Sequence, residues 1–361
     1  MKKIKLFDIS FDNKELSAVK KTLESKNWGS GSGTGNVHQF ESNFRNYVKS
    51  KSCVAVNSGT AALHLALSLF DIKNKEVILP SLSFTSTAHS VLYNGGIPKF
   101  VDVDPTTLCI DPKKIEEAIS KKTRIILPVH FAGLSCSMVS IQKIAKKHKL
   151  FLIEDAAHAT GTKFKSNTIG SHGDAVCFSF HPVKNLSMPS GGAITLNNSN
   201  WKTHQNLLKI RRWCGISNRK NTSYDVNEIG WNYYMNEIDA SIGLIQLKKM
   251  EKHNSKRKFT AKLYSQNIDL EFKMPFDKEA SYHFYWIRVK NRMEFMKKMY
   301  DYGVETGTHY RPIHTFNLYA KKYDLPNTDL IGKEIVSLPT HPNLSESDID
   351  KIILLTNKFS K

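Results

Sequence analysis

Short apolar runs alternate with helical stretches through residues 53–196, and this alternation constrains the fold more than any other feature. Apolar and β-favouring residues predict strands at 53–56, 76–79, 98–103, 123–130, 151–155, 175–180 and 193–196. Amphipathic or alanine-rich segments that predict helices separate most of these strands. Strands joined by helices pack into a mainly parallel sheet that helices cover on both faces. The sequence therefore predicts an α/β fold.

Two neighbouring predicted strands carry a lysine and a carboxylate. The segment FLIEDAAH (151–158) ends its apolar run in Asp155, and Lys184 lies in a predicted exposed turn after the strand 175–180. Ligands of α/β sheets bind at the carboxyl ends of strands. Pyridoxal phosphate needs a lysine for its Schiff base and an acid opposite its pyridine nitrogen. A lone lysine is usually a solvated surface charge, so the hypothesis depends on the pair.

The segment VNSGTAALHLAL predicts a strand, a turn and a helix, with Ser58 in the turn. The N–H groups and the positive end of such a helix form an anion site that suits a phosphate. Alternatively, Ser58 does no more than cap the helix. Phe84 follows the strand 76–79, where its ring could cover one face of a flat cofactor or pack as an ordinary core aromatic.

Charge and composition exclude several classes of protein. The net charge of +19 suggests a nucleic-acid or membrane partner, but the lysines are scattered along helical stretches, so we expect neither. Five cysteines without a CxxC pair indicate a reducing compartment, and we predict no metal site. The opening MKKIKLFDIS lacks the apolar region of a signal peptide, so we expect a cytoplasmic protein.

The pattern of the sequence changes towards its C-terminal end. We predict a large α/β domain over residues 1–250 and a smaller α+β domain over residues 251–361. The glycine-rich segment 27–36 lacks the GxGxxG spacing and a preceding strand, so it is not a dinucleotide fingerprint. We expect it to be a flexible surface loop, or a loop whose backbone approaches a substrate diphosphate.

An ordered set of segments resembles the DegT-type nucleotide-sugar aminotransferases, a branch of the fold type I pyridoxal-phosphate enzymes. The set includes VNSGTAALHLAL, VILPSLSFTSTA, PVHFAG, IEDAAHATGT, IGSHGDAVCFSFHPVKN, GWNYYMNEIDASIGLIQL and GTHYRPIH, and it extends from about residue 27 to the C-terminus. The resemblance implies that Lys184 forms the Schiff base and that Asp155 pairs with the pyridine nitrogen. It also implies that His158 lies near the ring oxygen and that Phe84 stacks on the ring.

The same resemblance implies further contacts with the cofactor and the substrate. It assigns the phosphate to Ser58, Gly59, Thr60 and Ser179. Asn232 would reach the phosphate of the neighbouring subunit, which implies a homodimer with shared active sites. His309 and Tyr310 would face the substrate. Tyr234 stands where an arginine is common in the family, so contacts there differ from the family pattern.

The resemblance also implies a reaction. Members in which histidine replaces the lysine dehydrate their sugar, whereas the presence of Lys184 favours transamination. The segments PVHFAG, EDAAHATGT and GTHY resemble members that aminate C4, so we expect a 4-keto-6-deoxy nucleotide sugar as acceptor and glutamate as donor. Amination at C3 of a 3-keto nucleotide sugar, or of a different keto acceptor, stays open. A non-catalytic pyridoxal-binding regulator would not need both Lys184 and Asp155.

Overall fold

Helices and strands follow one another in a mixed α/β order in the computed structural model, which describes residues 3–29, 31–319 and 323–360. The α-helices are α1 (Asn13–Glu24), α2 (Asn36–Val48), α3 (Gly59–Ser68), α4 (Ser86–Tyr93), α5 (Pro112–Ala118), α6 (Met138–His148), α7 (Trp201–Arg211), α8 (Glu237–Asn267), α9 (Arg292–Asp301), α10 (Pro326–Glu334) and α11 (Glu346–Phe359). The β-strands are β1 (Ser52–Val56), β2 (Glu76–Pro80), β3 (Ile97–Val101), β4 (Thr123–Ile126), β5 (Phe151–Asp155), β6 (Lys163–Phe164), β7 (Asn167–Thr168), β8 (Ala175–Ser179), β9 (Gly192–Leu196), β10 (Ile216–Lys220), β11 (Ser223–Val226), β12 (Tyr285–Arg288) and β13 (Ile335–Leu338).

A seven-stranded sheet of order β1-β9-β8-β5-β4-β2-β3 forms the centre of the molecule. Its strands β3, β2, β4, β5 and β8 pair in parallel. Strand β9 alone runs in the opposite direction, antiparallel to both β8 and β1. The predicted α/β fold with a mainly parallel sheet is confirmed, and the carboxyl ends of β5 and β8 lie side by side.

Helices cover both faces of this sheet. Successive side chains of a strand point to opposite faces, so each strand contributes to two cores. Val54 of β1 joins a cluster with α3, α4 and α7, whereas Ala55 joins a cluster with α2 and α8. Helix α6 packs on the same face as α2, against Ile126 and Leu152. The apolar strands are therefore buried on both sides, as their composition predicts.

One predicted strand is markedly shorter in the structure, and one helix is long. We predicted a strand over 123–130, but β4 ends at Ile126, and Pro128 soon after it has no N–H to extend a ladder. Helix α8 continues without a break to Asn267. The buried side chains of Ala261 and Tyr264 hold this part of α8 against the core.

The C-terminal part of the chain contains the antiparallel pair β12–β13 with α9 and α11 around it. One core cluster joins this part to the sheet, because it includes both Trp286 of β12 and Ile126 of β4. The proposed division into domains 1–250 and 251–361 falls inside α8, and it stays a prediction. Among the described residues, no helix is long and apolar enough to cross a membrane.

Candidate active site

A cavity of about 340 Å³ lies at the carboxyl ends of the parallel strands, between β5, β8 and the start of α3. Most of the predicted site residues line it. They are Ser58, Gly59, Thr60, Phe84, Asp155, His158, Ser179, Lys184, His309 and Tyr310. The fold therefore brings together side chains that are up to 252 positions apart in the sequence, from Ser58 to Tyr310.

Lys184 lies in the turn that follows β8, and it is part of the cavity lining. We predicted an exposed turn, but the side chain is half-buried because the neighbouring Asn185 and Leu186 pack into the interior. Burial lowers the pKa of Lys184 to about 8, although the charge of Asp155 acts in the opposite direction. A sizeable fraction of this amine is therefore neutral near physiological pH, as a nucleophile or a base requires.

Asp155 is the last residue of β5, and its carboxylate is buried beside the cavity. Its Oδ1 accepts a hydrogen bond from the N–H of Ala157 at 3.1 Å, and its Oδ2 accepts one from Oγ1 of Thr87 at 2.8 Å. Burial raises the pKa of Asp155, while these two hydrogen bonds and the charge of Lys184 oppose that shift. A cation placed next to this carboxylate would relieve the cost of its burial.

The start of α3 forms a cradle in the wall of the same cavity. Oγ of Ser58 accepts a hydrogen bond from the N–H of Ala61 at 3.1 Å, so the capping role that we considered for Ser58 is present. Gly59 and Thr60 open the helix, where N–H groups have no acceptor within the helix. A Cβ at position 59 would lie 2.6 Å from Cβ of Ser179, so only glycine fits there. These groups leave room for an anion next to a helix N-terminus.

His158 and Tyr310 contact each other in the lining of the cavity. Nε2 of His158 lies 2.9 Å from the hydroxyl of Tyr310, and its Nδ1 is buried without a hydrogen-bond partner. When the tyrosine hydroxyl donates to Nε2, Nδ1 carries the proton and is an unpaired donor. Burial and the charges of Lys184 and His309 lower the pKa of His158 well below its usual value, so the ring is neutral.

Two other predicted residues of the lining, Phe84 and His309, differ in their exposure. The Phe84 side chain is 57% exposed, with its ring centroid 6.0 Å from that of Tyr310. A ring so exposed is not a core aromatic. Nδ1 of His309 bonds to Oγ of Ser337 at 2.8 Å, and burial lowers the pKa of His309 to about 3.

Asn232 does not line the cavity of its own chain. Its side chain is exposed, and its backbone carbonyl accepts a hydrogen bond from Nδ2 of Asn57, a residue of the cavity wall, at 3.2 Å. A role for Asn232 in the site of a second subunit stays a prediction. His130 also lies outside the lining, since it is fully buried and bonds through Nε2 to Glu154 at 2.8 Å.

The glycine-rich segment 27–36 lies away from this cavity. Gly31 packs against the ring of Trp213 and Gly35 packs against Glu237, and a side chain at either glycine would collide with its neighbour. The segment borders a more open groove of about 660 Å³ between α1, α2 and α8, whose lining includes none of the predicted site residues. Within one chain, the described residues of this segment therefore do not line the cavity. Ser30 of this segment lies outside the described residues.

Sequence reasoning missed two residues that contact the central pair. Thr87 bonds to Asp155, and Nε2 of His283 lies 3.5 Å from Nζ of Lys184. Thr87 stands among several hydroxyl residues of the segment SLSFTSTAHS, so no pattern distinguishes it. His283 lies in the aromatic run SYHFYW, which reads as a core strand.

This constellation fits pyridoxal phosphate. Lys184 offers an amine, Asp155 a buried carboxylate for the pyridine nitrogen, and the start of α3 an anion cradle in the same cavity. The unpaired Nδ1 of His158 offers a donor for the ring oxygen. Phe84 offers a flat apolar surface at the mouth. The residues present therefore supply a partner for each chemical part of the cofactor.

Comparisons with known proteins agree with this fit. The family model described as the DegT/DnrJ/EryC1/StrS aminotransferase family matches residues 10–355. Among curated proteins, the chain is 36% identical to the spore coat polysaccharide biosynthesis protein SpsC of Bacillus subtilis, over 94% of this chain and 92% of that protein.

Solved structures give the same result. The fold matches the sugar aminotransferase Spr1654 from Streptococcus pneumoniae with a TM-score of 0.94 at 25% identity, over 99% of this chain and 98% of that one. That protein is described in PMP-form and in PLP-form. The fold also matches Helicobacter pylori PseC, an aminotransferase involved in the biosynthesis of pseudoaminic acid, with a TM-score of 0.93 at 27% identity, over 99% of each chain.

Proposed function

This chain belongs to the DegT/DnrJ/EryC1/StrS aminotransferase family, and we propose that it transfers an amino group from glutamate to C4 of a 4-keto-6-deoxy nucleotide sugar. The broader activity follows from the family: the chain is a pyridoxal-phosphate-dependent sugar aminotransferase. The observation that carries the proposal is the cavity in which Lys184 and Asp155 share a lining with the cradle of α3.

Two side chains of the cavity, Asp155 and Lys184, would hold or move the protons in this reaction. Bound there, pyridoxal phosphate supplies a ring that accepts the electron pair left when a proton leaves the amino donor. Asp155 would hold a proton at the ring nitrogen, because a carboxylate this buried favours a cation beside it. Lys184 would accept the α-proton of the amino donor at Nζ and would release it again later in the half-reaction. The lowered pKa of Lys184 makes its neutral form available for this step.

The remaining residues of the cavity would hold the phosphate, cover the ring and contact the sugar. Gly59, Thr60 and Ser179 would hold the cofactor phosphate at the start of α3, where the helix dipole favours negative charge. Phe84 would cover the ring and limit the access of water from the mouth. His309 and Tyr310 line the same cavity, and they would contact the sugar.

Three observations support a nucleotide sugar as the acceptor. The net charge of +19 favours a substrate with a diphosphate, which Lys and Arg bind through charge-assisted hydrogen bonds. The relatives SpsC and PseC are named for polysaccharide and pseudoaminic acid biosynthesis. The segments around His158 and His309 resemble C4-aminating members. His130, which belongs to the same resemblance, is buried away from the cavity and adds no support.

One assay separates the proposal from its alternatives, which are C3 amination and a different keto acceptor. The enzyme is incubated with glutamate and with matched 3-keto and 4-keto nucleotide sugars, and the release of 2-oxoglutarate is followed. We expect turnover of the 4-keto compound and an amine at C4 by NMR. Turnover confined to the 3-keto compound would overturn the C4 assignment. Amination of a small keto acid alone would overturn the nucleotide-sugar class.

We further propose a homodimer in which each cavity receives residues of the other chain. Asn232 is exposed next to the cavity wall rather than inside it. Two large apolar side chains close to Asn232 in the sequence are also exposed, Ile229 at 82% and Val226 at 57%. Exposed apolar groups of this kind favour a protein interface. Asn232 would then reach the phosphate held by the partner chain.

A further inference from the structure

His283 lies against the amine that performs the chemistry. Its Nε2 is 3.5 Å from Nζ of Lys184, and the two residues come from separate parts of the chain. The distance is at the long end of the hydrogen-bonding range, and such contacts often shorten when a ligand binds. His283 itself does not line the cavity, so it approaches Lys184 from the interior side.

The surrounding structure fixes the orientation of this imidazole. His283 is 1% exposed, its N–H donates to the carbonyl of Ala132 at 2.9 Å, and its carbonyl accepts from Nη1 of Arg257 at 3.3 Å. Its ring stacks on Phe7 with centroids 5.3 Å apart and an interplanar angle of 20°. A ring held in this way can direct the group that it contacts with little loss of conformational entropy.

The polar surroundings of His283 leave Lys184 as its hydrogen-bonding partner. Nδ1 of His283 is buried without a partner among the described residues. The charged or titratable groups that face the ring are Lys184, His158, Arg257 and His309, and no carboxylate is among those that shift its pKa. Burial and the neighbouring positive charges lower the pKa of His283 well below its usual value, so the imidazole stays neutral.

We propose that His283 is a positioning residue for the proton transfer, because its Nε2 accepts a hydrogen bond from Nζ of Lys184 and so directs the proton that this amine carries. The proposal rests on the proposed function, since it needs Lys184 as the group that moves the proton. It deepens that function, because it assigns the orientation of the amine to a residue outside the cavity lining.

The proton balance of this role is simple. When the neutral amine of Lys184 accepts the α-proton of the donor, Nζ becomes an ammonium with three hydrogens. One N–H is then directed at Nε2 of His283, and the others face the cavity. The ammonium would then deliver this proton to the carbon that gains it in the product of the half-reaction, and Nζ would return to the neutral amine. His283 stays neutral with its own proton on Nδ1 throughout, so no further acid or base is required.

A pair of amide substitutions tests this role. Gln at position 283 places its amide close to the position of Nε2. The shorter Asn side chain places its amide close to the position of Nδ1, so it does not reach Lys184. We therefore expect His283→Gln to retain most of the rate of the glutamate half-reaction. We expect His283→Asn to lose about tenfold in that rate, as for the loss of one oriented hydrogen bond to a charged group. The same substitution at His253, a buried histidine outside the cavity lining, is the control.

Two readouts distinguish this role from a structural one. With α-deuterated glutamate, His283→Asn should show a larger isotope effect than the wild type, because proton transfer becomes more rate-limiting. In the apoenzyme, acetylation of Lys184 is followed by mass spectrometry as a function of pH. Loss of the acceptor destabilises the ammonium, so the midpoint should fall in His283→Asn and not in His283→Gln.

The possible results separate the two proposals. Equal half-reaction rates in His283→Asn and His283→Gln, whether high or low, would overturn the role of Nε2. An unchanged acetylation midpoint in His283→Asn would overturn it as well. If borohydride reduction of the wild-type enzyme with cofactor fails to label Lys184, then the proposed function itself fails, independently of His283.

Discussion

Oγ1 of Thr87 donates a hydrogen bond of 2.8 Å to Oδ2 of Asp155, and both side chains are buried. Thr87 lies in the first turn of α4, whereas Asp155 ends β5. The bond therefore fixes the carboxylate between the helix layer and the sheet. Because it stabilises the ionised form, it opposes the rise in the pKa of Asp155 that burial causes.

Replacing Thr87 by Val should slow the enzyme without unfolding it. Val has nearly the same shape as Thr but has no hydroxyl, so Asp155 loses a donor and its pKa rises further. Hydrogen bonds to charged groups contribute about 1.5–3 kcal/mol, which predicts a kcat lower by about tenfold or more. Steady-state kinetics measure the loss, and Thr87→Ser, which keeps the hydroxyl, is the control. A kcat of Thr87→Val equal to that of the wild type would contradict this role.

The pH dependence of covalent cofactor uptake should follow the lowered pKa of Lys184. Burial lowers this pKa from 10.5 to about 8. Only the neutral amine attacks a carbonyl, so the uptake rate should rise with pH through a midpoint near 8. Stopped-flow absorbance of apoenzyme mixed with pyridoxal phosphate measures it.

The direction in which Asp155→Asn shifts the uptake midpoint tests whether the charge of Asp155 acts on Lys184. Asp155 raises the pKa of Lys184, so Asp155→Asn should move the uptake midpoint to lower pH. A wild-type midpoint at the ordinary lysine value, or a shift to higher pH in Asp155→Asn, would contradict this electrostatic account of the site.

Gly59→Ala should weaken the binding of the cofactor. The new Cβ would lie 2.6 Å from Cβ and 3.0 Å from Oγ of Ser179, so Ser179 must move out of the cradle. We expect the Kd of pyridoxal phosphate for the apoenzyme to rise by about tenfold, the loss of one hydrogen bond to a charged group. Fluorescence titration measures the Kd.

Gly29→Ala is the matched control, because its Cβ would meet Tyr234 at an ordinary distance of 3.8 Å. Its Kd should equal that of the wild type. If Gly59→Ala also binds with the wild-type Kd, then the start of α3 does not hold the phosphate.

Mixed dimers should restore activity if the sites are shared. We expect Lys184→Ala and Asn232→Ala each to be inactive alone. A heterodimer of the two variants has one cavity with Lys184 and an intact Asn232 from the other chain. Co-expression with two affinity tags isolates this heterodimer, and its activity should correspond to one working site. An inactive heterodimer, or an active monomer in light scattering, would refute the composite site.

The sequence predicts the sheet and most of the cavity because both depend on local patterns. FLIED reads as a buried strand that ends in acids, and β5 has those bounds with Asp155 at its end. The run GTAALHLALS favours a helix, and α3 begins at Gly59 as the anion-site argument requires. These elements follow from periodicity and from the chemistry of strand ends and helix starts.

The features that the sequence does not predict depend on contacts between distant segments. His283 meets Lys184 across 99 positions, and nothing near either residue indicates the pairing. Helix α8 continues to Asn267 through a polar stretch, since buried Arg257 and Tyr264 lie on its inner side. The hairpin β10–β11 has a polar sequence whose strand residues are mostly exposed, so it lacks the apolar alternation that reveals strands.

The central claim is that Lys184 carries pyridoxal phosphate and moves the proton. The most direct test is borohydride reduction of the enzyme with its cofactor, followed by proteolysis and mass spectrometry of the labelled peptide. We expect the pyridoxyl group on Lys184. We also expect Lys184→Ala to bind the cofactor without a covalent label and without turnover. A label on a different lysine, or turnover by Lys184→Ala at the wild-type rate, would contradict the account.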